Sequence, residues 1–499
     1  MSIHSIVMAQ SDIEVVRPLG NLERLYLVRN TLRYSANVCT AVRYQCKDFF
    51  SSVPIKSSTG LNDNIRKTLR PMIYSALTEL ILKEPALAIG IRDPKTSRPL
   101  FVHIPTIYLS RQVRFDIIQS DEKLEKILER EHDKVFDLSI ETTLLWRVIV
   151  GVNVKRNDEI CVIFCYHYSM TDGIGFHSLN TLFYNSLNNI VRTHKNLNNK
   201  SLLSNISSIV NVPYAQIFKP CDELLDTNVS VKLLMKKVFS DAFLPSFMKS
   251  KPDYCTAREG LAMDIKDFHT KLKIVTIDSD QVNLLLSRSK QQKTTLYAVI
   301  HTALLFAACH SLADLNEDKM LYNLTPISIR LCANPPITDK TLCIYNFSVS
   351  VKKLNQGFWN VSRMYKSKLA KSTQKSIQRT GRLKFTSKAD EKWGKYFRRK
   401  RKLNPMGRKD IPNIGVWTPH GENESKDTNV KILDCAFSQS PDVGGPVVAV
   451  NLLSYGNGFK CTFVHQKGVI KPKEKFNQFI DEFDKILAVV AKEGDWKGE

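Results

Sequence analysis

Between Ser201 and Tyr254 the hydrophobic periodicity that organises the rest of the chain weakens, and this break divides 499 residues into two α/β runs. A single hydrophobic core rarely serves so long a chain. Two units are therefore expected, over 1–200 and 256–499, joined by a crossover at 201–255. In the first, DNIRKTLRPMIYSALTELILKEP (Asp63 to Pro85) sets Leu69, Met72, Ile73, Ala76, Leu77 and Leu80 along one helical face. ALAIGI and FVHIPTIYL follow as extended segments, and EKLEKILEREHDKVF as an amphipathic helix. TTLLWRVIVGVNV and EICVIFCYHYS are apolar strand runs, and a helix begins just after Gly173. The second unit repeats the theme. TTLYAVIHTALLFAACHSL reads as a buried helix, and MLYNLTPISIRL and LCIYNFSVSVKK as strands. VVAVNLLSYGNGFKCTFVHQKG is a hairpin turning on Gly456, Asn457 and Gly458. The closing helix lines up Phe476, Phe479, Ile480, Phe483, Ile486 and Leu487. The expected fold class is α/β, as two sandwiches with a cleft between them.

Composition narrows the function classes. Apolar residues are 43% and charged residues 24%, an ordinary globular balance. The eleven cysteines show no C-x-x-C pair or zinc-like spacing, and the N-terminus lacks a basic region followed by a long apolar run. The expectation is a reduced, cytoplasmic protein without a metal, with peripheral association with a membrane or lipid droplet left open. The net charge of +23 is concentrated: between Arg363 and Lys409 eighteen Lys and Arg face two acids. This basic insertion, 363–409, reads as a solvated decoration or as an attractor for a phosphorylated cofactor or anionic lipid. RRKRK, Arg398 to Lys402, fits a nuclear-import patch. The flanking aromatics do not repeat as a base-stacking platform would, so no nucleic-acid partner is expected.

The chemistry centres on YHYSMTDGIGF, Tyr166 to Phe176. With RPLGNLERLYLVRNTLRYSANVCTAVRY, ALTELILKEPALAIGI, DGIGFHSLNTLFYNSLN, TTLYAVIHTALLFAA, LTPISIRL, AFSQS and VNLLSYGNGFKCTF in this order, the chain resembles the fungal alcohol acetyltransferase family. That family belongs to the acyl-CoA-dependent acyltransferases with a chloramphenicol-acetyltransferase-like fold. The resemblance implies two related sandwich domains, a tunnel between them, and a monomer. It implies acetyl-CoA as acyl donor, an alcohol or amine as acceptor, and ester formation without a covalent acyl-enzyme. The family's histidine is the general base, a task that suits a neutral imidazole near pH 7. Its aspartate, here Asp172, pairs with an arginine of the other domain, here Arg330, and Gly173 serves the tight turn from strand into helix. Ser438, Gln439 and Ser440 fall where the family brings polar groups near the reacting carbonyl, as oxyanion or acceptor contacts.

The motif departs from the pattern by one residue. Aligned without a gap on Asp172 and Gly173, Tyr168 takes the base position and His167 the one before it. Successive strand residues face opposite ways, so a regular strand cannot send both into the cleft, and a phenol is a poor base at neutral pH. Three solutions stay open. A β-bulge before Asp172 swings His167 into the cleft; Tyr168 relays a proton through water; or the chain is a silent member that binds without turnover. His177 reads as a packing or capping residue, and His301 and His310 as core histidines of the second-half helix.

Overall fold

A computed structural model describes residues 13–46, 63–118, 124–153, 158–197, 206–226, 268–312, 322–337, 346–352, 357–373, 377–378, 381, 408–419, 429–442, 446–456 and 458–497. Most of the crossover and the greater part of the basic insertion, with RRKRK, lie outside these residues. The first half supplies strands β1 (Val38–Cys46), β2 (Val113–Ile118), β3 (Trp146–Asn153) and β4 (Glu159–Tyr166). The second supplies β5 (Thr270–Ile277), β6 (Tyr322–Ser328), β7 (Asn346–Lys352), β8 (Arg408–Asp410), β9 (Asn413–Trp417), β10 (Val430–Gln439), β11 (Val448–Tyr455) and β12 (Gly458–Gln466). The main helices are α1 (Asn21–Thr31), α2 (Asp63–Lys83), α3 (Leu124–His132), α4 (Gly175–Leu197), α5 (Ser279–Gln291), α6 (Leu296–Ser311), α7 (Phe358–Ala370) and α8 (Glu474–Glu493).

These elements build two sheets, each covered by helices. The first has the order β10-β1-β4-β3-β2; the second runs β5-β12-β11-β8-β6-β7, with β9 also paired to β11. One face of the first sheet buries Val42, Val148, Val162 and Phe164 against the helical stripes of α2 and α4. All six apolar residues of the α2 stripe, from Leu69 to Leu80, are fully buried. The second core gathers α5, α6 and α8 on β11 and β12, and the six apolar residues of α8 are all within it. Thr295 caps α6 by accepting the Ala298 N–H.

Three local differences from the sequence expectations have simple causes. Pro85 opens a 3-10 turn to Ala88 before the strand Ile89–Arg92 begins. Arg330 lies past the end of β6, in a 3-10 turn of its own. Arg363 falls inside α7, whose Val361, Ser362 and Tyr365 are buried, so the basic run begins within a packed helix.

The two sheets are stitched together. β10, although late in the chain, pairs antiparallel with β1 of the first sheet. The sheet face carrying Cys39, Ala41, Ile163 and Cys165 meets Leu272, Ala449 and Val464 of the second sheet, with Ile127 and Leu128 of α3 beside them. The edge strand β5 gives its Leu272 and Ile274 N–H groups to the carboxylates of Glu129 and Glu125 on α3, each at 3.0 Å. A sheet edge that would otherwise invite pairing is closed by the neighbouring unit. The site described below lies along this seam.

Candidate active site

Strand β4 keeps unbroken register with β1 and β3 up to Tyr166. His167 then anchors the departing chain by donating its N–H to the Leu145 carbonyl, 2.8 Å away. The Met170 N–H returns to the His167 carbonyl at 3.0 Å and closes a turn. The extra residue of the motif is thus held in a turn beyond the strand end. Of the three solutions the sequence leaves open, a bulge finds no place in the paired part of β4, whose pairing stops at Tyr166.

His167 is fully buried, with its ring edge-on to Phe136 at 5.8 Å. Its Nδ1 accepts the Ser169 N–H at 3.0 Å. A neutral imidazole whose Nδ1 accepts must carry its proton on Nε2. That Nε2 has no hydrogen-bond partner among the described residues. Burial pushes the ring's pKa down to about 3, so it is uncharged at neutral pH. Tyr168 is buried as well, and its ring stacks on Tyr26 at 4.8 Å.

Asp172 and Arg330 form a two-pronged ion pair at 2.8 and 2.7 Å, with both side chains at most 1% exposed. The Asp172 carboxylate also accepts the N–H groups of Ile174 and Gly175 at 3.1 and 3.2 Å, at the start of α4. One carboxylate therefore ties the motif loop to the other unit and satisfies a helix N-terminus. Gly173 is needed for a reason other than a special turn conformation. A Cβ there would stand 2.4 Å from Ile414 Cγ2 and 3.0 Å from Phe437 Cζ. The motif loop is packed directly on β9 and β10.

Of the three polar residues at the end of β10, only Ser438 engages another side chain near the seam. Its Oγ lies 2.8 Å from His132 Nε2, and His132 Nδ1 lies 2.8 Å from Asn37 Oδ1. Ser440 Oγ is spent on the backbone, accepting the N–H groups of Ala36 and Asn37. Gln439 is half-buried and alternates to the other face of β10. His132 is fully buried; burial, then the charge of Arg147, lowers its pKa to about 3. The adjacent Glu131 is buried too, which alone would raise its pKa. Hydrogen bonds from Lys134 and Arg114 and the charge of Arg147 prevail and hold it at about 2.

The remaining sequence candidates separate cleanly. His301 is enclosed and bonds the Tyr365 hydroxyl at 2.9 Å, a core histidine. His310 corrects the expectation of a core residue: it is exposed and pairs with Glu482 at 2.9 Å, since the last turn of α6 reaches the surface. His177 Nε2 meets the Ile414 carbonyl. It borders an open pocket of about 720 Å³ beside the first turns of α4, with Glu84, Thr181, Asn185, Ile414 and Trp417 in its walls. Burial raises the Glu84 carboxyl to about 7. His132 and Asn37 escaped the sequence reading. His132 sits in EREHDK, a run that looks solvated, and only the fold turns it inward.

A two-sheet fold whose strand-to-helix turn carries Asp172 bonded to an arginine of the second unit defines a two-lobed acyltransferase fold of the chloramphenicol-acetyltransferase-like type. The chain superimposes on the trichothecene 15-O-acetyltransferase TRI3 of Fusarium sporotrichioides with a TM-score of 0.66, at 12% identity over 94% of both chains. It superimposes on the condensation domain of the monacolin K polyketide synthase MokA with a TM-score of 0.56, at 11% identity, covering 96% of this chain and 98% of that one. The profile of the alcohol acetyltransferase family matches residues 116–487, and the chain belongs to that family. It is 27% identical over 178 residues to the probable alcohol acetyltransferase crmB of Aspergillus fumigatus, covering 34% of this chain and 36% of that protein. It is 22% identical over 263 residues to the probable alcohol acetyltransferase FCK4 of Fusarium pseudograminearum, covering 52% of each. These matches span about a third and about a half of the two relatives' own lengths.

Proposed function

We propose that the protein transfers an acetyl group from acetyl-CoA to an alcohol, forming an ester, with an amine as the alternative acceptor. The observation that carries this reading is the buried Asp172–Arg330 pair. It holds the motif loop in one shape across the two units, which is the positioning that acyl transfer requires. In the reaction the acceptor oxygen attacks the thioester carbonyl carbon and its proton passes to a base. The tetrahedral intermediate then expels the CoA thiolate, which takes that proton. His167 is our candidate at the reacting carbonyl, with Tyr168 as competitor. We assign the acceptor to the seam or to the pocket beside α4, whose volume suits a small amphipathic molecule.

One observation favours a second reading, in which the protein is a weakened or silent family member. With Nδ1 held by the Ser169 N–H, the His167 ring carries a proton, not a lone pair, on Nε2. As a base it must give up that hydrogen bond and change tautomer. Purified protein with acetyl-CoA and a panel of medium-chain alcohols and primary amines, read by free-thiol release, separates the two readings. Acceptor-dependent thiol is the expected result. CoA binding without it would favour the silent reading. Loss of turnover in Tyr168→Phe with retention in His167→Ala would overturn the His167 assignment.

A further inference from the structure

We infer that the pocket beside α4 is a binding site for a protonated amphipathic amine, whose ammonium group pairs with the Glu84 carboxylate while its apolar part lies against Ile174, Leu182 and Val416. The inference concerns what the pocket binds and goes beyond the acetyl-transfer reading, on which it does not depend. The chain carries 72 Lys and Arg against 49 Asp and Glu. Yet no Lys or Arg is among the described residues that wall this pocket of about 720 Å³, and Glu84 is their one acid. A ligand phosphate or carboxylate would face Glu84 with no cation to offset it, so the pocket disfavours the polyanionic CoA. Half-buried Ile174 and Leu182 and exposed Val416 supply the apolar surface.

Local structure leaves the Glu84 carboxylate without a partner. Glu84 joins α2 to the 3-10 turn that Pro85 opens, and both of its backbone groups are engaged there. Its N–H donates to the Leu80 carbonyl at 3.0 Å, and its carbonyl accepts the Leu87 N–H at 2.9 Å. It stands at the N-cap of the turn, but its side chain makes no capping bond. The adjacent Lys83 pairs with Glu79, one helical turn back, at 3.8 Å. No hydrogen bond or ion pair of the Glu84 carboxylate is found among the described residues, and burial is the one influence that raises its pKa to about 7. A partly buried acid is costly to keep charged alone, and a ligand cation offsets that cost. The polar groups opposite are engaged with each other. His177 Nε2 meets the Ile414 carbonyl, and the Trp417 indole N–H donates to Thr181 Oγ1 at 2.9 Å. These bonds join α4 to β9 and fix the far wall.

Charge and pH make the assignment specific. A net charge of +23 repels a cation and attracts an anion, so a preference for the cation requires a local reversal of sign. An alkylammonium stays protonated well above neutrality, whereas Glu84 with a pKa of about 7 ionises across the neutral range. Pairing needs the ionised carboxylate. Its share rises from about a tenth at pH 6 to about nine-tenths at pH 8, so affinity should rise about tenfold over that range. His177 on α4 is the other titratable side chain in the walls, and β9 carries none from Asn413 to Trp417. While protonated, the ligand nitrogen has no lone pair, so the pocket holds it as a charge and not as an attacking group.

The full chain is titrated by calorimetry with n-octylammonium, 1-octanol and octanoate at pH 6 and pH 8, without acetyl-CoA. Octylammonium should bind more tightly than the other two, with a Kd about tenfold lower at pH 8 than at pH 6. Glu84→Gln should weaken it about 10–100-fold at pH 8, remove the pH dependence and leave 1-octanol unchanged. Val416→Lys sets a cation at an exposed rim position and should weaken octylammonium without touching Glu84; thermal melts check that both variants fold. Tighter binding of octanoate, or octylammonium binding that neither variant changes, would overturn the inference. A tenfold pH effect that persists in Glu84→Gln would assign it to His177 and equally overturn the role of Glu84. In either case acceptor-dependent thiol release by the same preparation would leave the acetyl-transfer reading standing. Octylammonium binding that both variants weaken, in a preparation that releases no thiol with any acceptor, would uphold the pocket and overturn that reading.

Discussion

His167 and His132 sit in environments that match in burial and differ in hydrogen bonding. Both rings are fully enclosed, and both have pKa values lowered to about 3. His167 accepts at Nδ1 from a backbone N–H and so turns a donor outward. His132 donates at Nδ1 to a side-chain carbonyl and so turns an acceptor toward Ser438. A histidine's position in a motif therefore does not settle its role; the atom facing its second nitrogen decides whether it gives or takes a proton. The motif histidine has a donor at its second nitrogen, and His132 an acceptor.

The sharpest way to break this comparison is to replace each ring by a group that keeps only half of its chemistry. His167→Gln retains an N–H donor without a useful base. If His167 acts as donor, the glutamine variant should keep most of the transfer rate while His167→Ala loses about 10²–10³-fold, the usual cost of one oxyanion donor. If both variants fall equally, by about 10²–10⁴-fold, His167 is a base and the comparison fails. His132→Gln keeps a polar side chain between Asn37 and Ser438 and should leave kcat nearly unchanged, because no step of the direct transfer uses that ring. Steady-state kcat with the best acceptor from the thiol assay is the measurement.

A second test removes the frame that keeps the motif loop where the comparison needs it. Arg330→Ala leaves the Asp172 carboxylate buried without its partner, at a cost of about 3–5 kcal/mol. Urea unfolding should show a midpoint shift that, multiplied by the m-value, gives that cost. Asp172→Asn keeps the shape of the carboxylate and one oxygen that accepts from Arg330 and the Ile174 N–H, while its NH2 meets the other Arg330 donor without accepting; part of the pair survives, so it should cost less. Equal costs would mean that the charge, rather than the shape, fixes the loop.

The acid limb of stability probes the feature the histidines share. Each folded pKa of about 3 lies below the ordinary histidine value, so the unfolded state binds more protons between those limits. Stability is complete above about pH 6.5 and falls as pH drops toward 3, by about 1.4 kcal/mol per unit for each ring. Between pH 6.5 and 5, His132→Gln and His167→Gln should each flatten the loss by about 2 kcal/mol. Unequal flattening would show that one ring is less enclosed than the other.

What the sequence discloses follows the range of the physics involved. The stripes Leu69–Leu80 and Phe476–Leu487 are legible because a helix repeats every 3.6 residues and a few neighbours carry the pattern. The pairing of β10 with β1 joins residues about 400 positions apart, such as Ser438 and Cys39, and no local pattern encodes it. The same distance hides the hydrogen-bonded cluster around His132. Asn37, His132 and Ser438 come from three separate segments, and His132 stands among charges that look solvated. Glu131 beside it is internal only because Arg114, Lys134 and Arg147 neutralise it. The one-residue shift of the motif was visible in the sequence, but not its accommodation. That depends on where strand pairing stops, at Tyr166, which the neighbouring strands determine.

The smallest expected effect tests whether the two histidine regions act separately. A methyl group added at Gly173 meets Ile414 Cγ2 at 2.4 Å and Phe437 Cζ at 3.0 Å. Gly173→Ala should therefore cost about 1–3 kcal/mol by overpacking, and Ile414→Ala should relieve most of it by clearing the closer atom. The residual contact is the informative one, because Phe437 immediately precedes Ser438 on β10. If that strand is held independently by its pairing with β1, the double variant should regain both its stability and its kcat. If it regains stability alone, the motif loop and β10 share a mechanical link through Phe437. The glycine of the motif would then be needed to set the position of β10 as well as to let the loop pass.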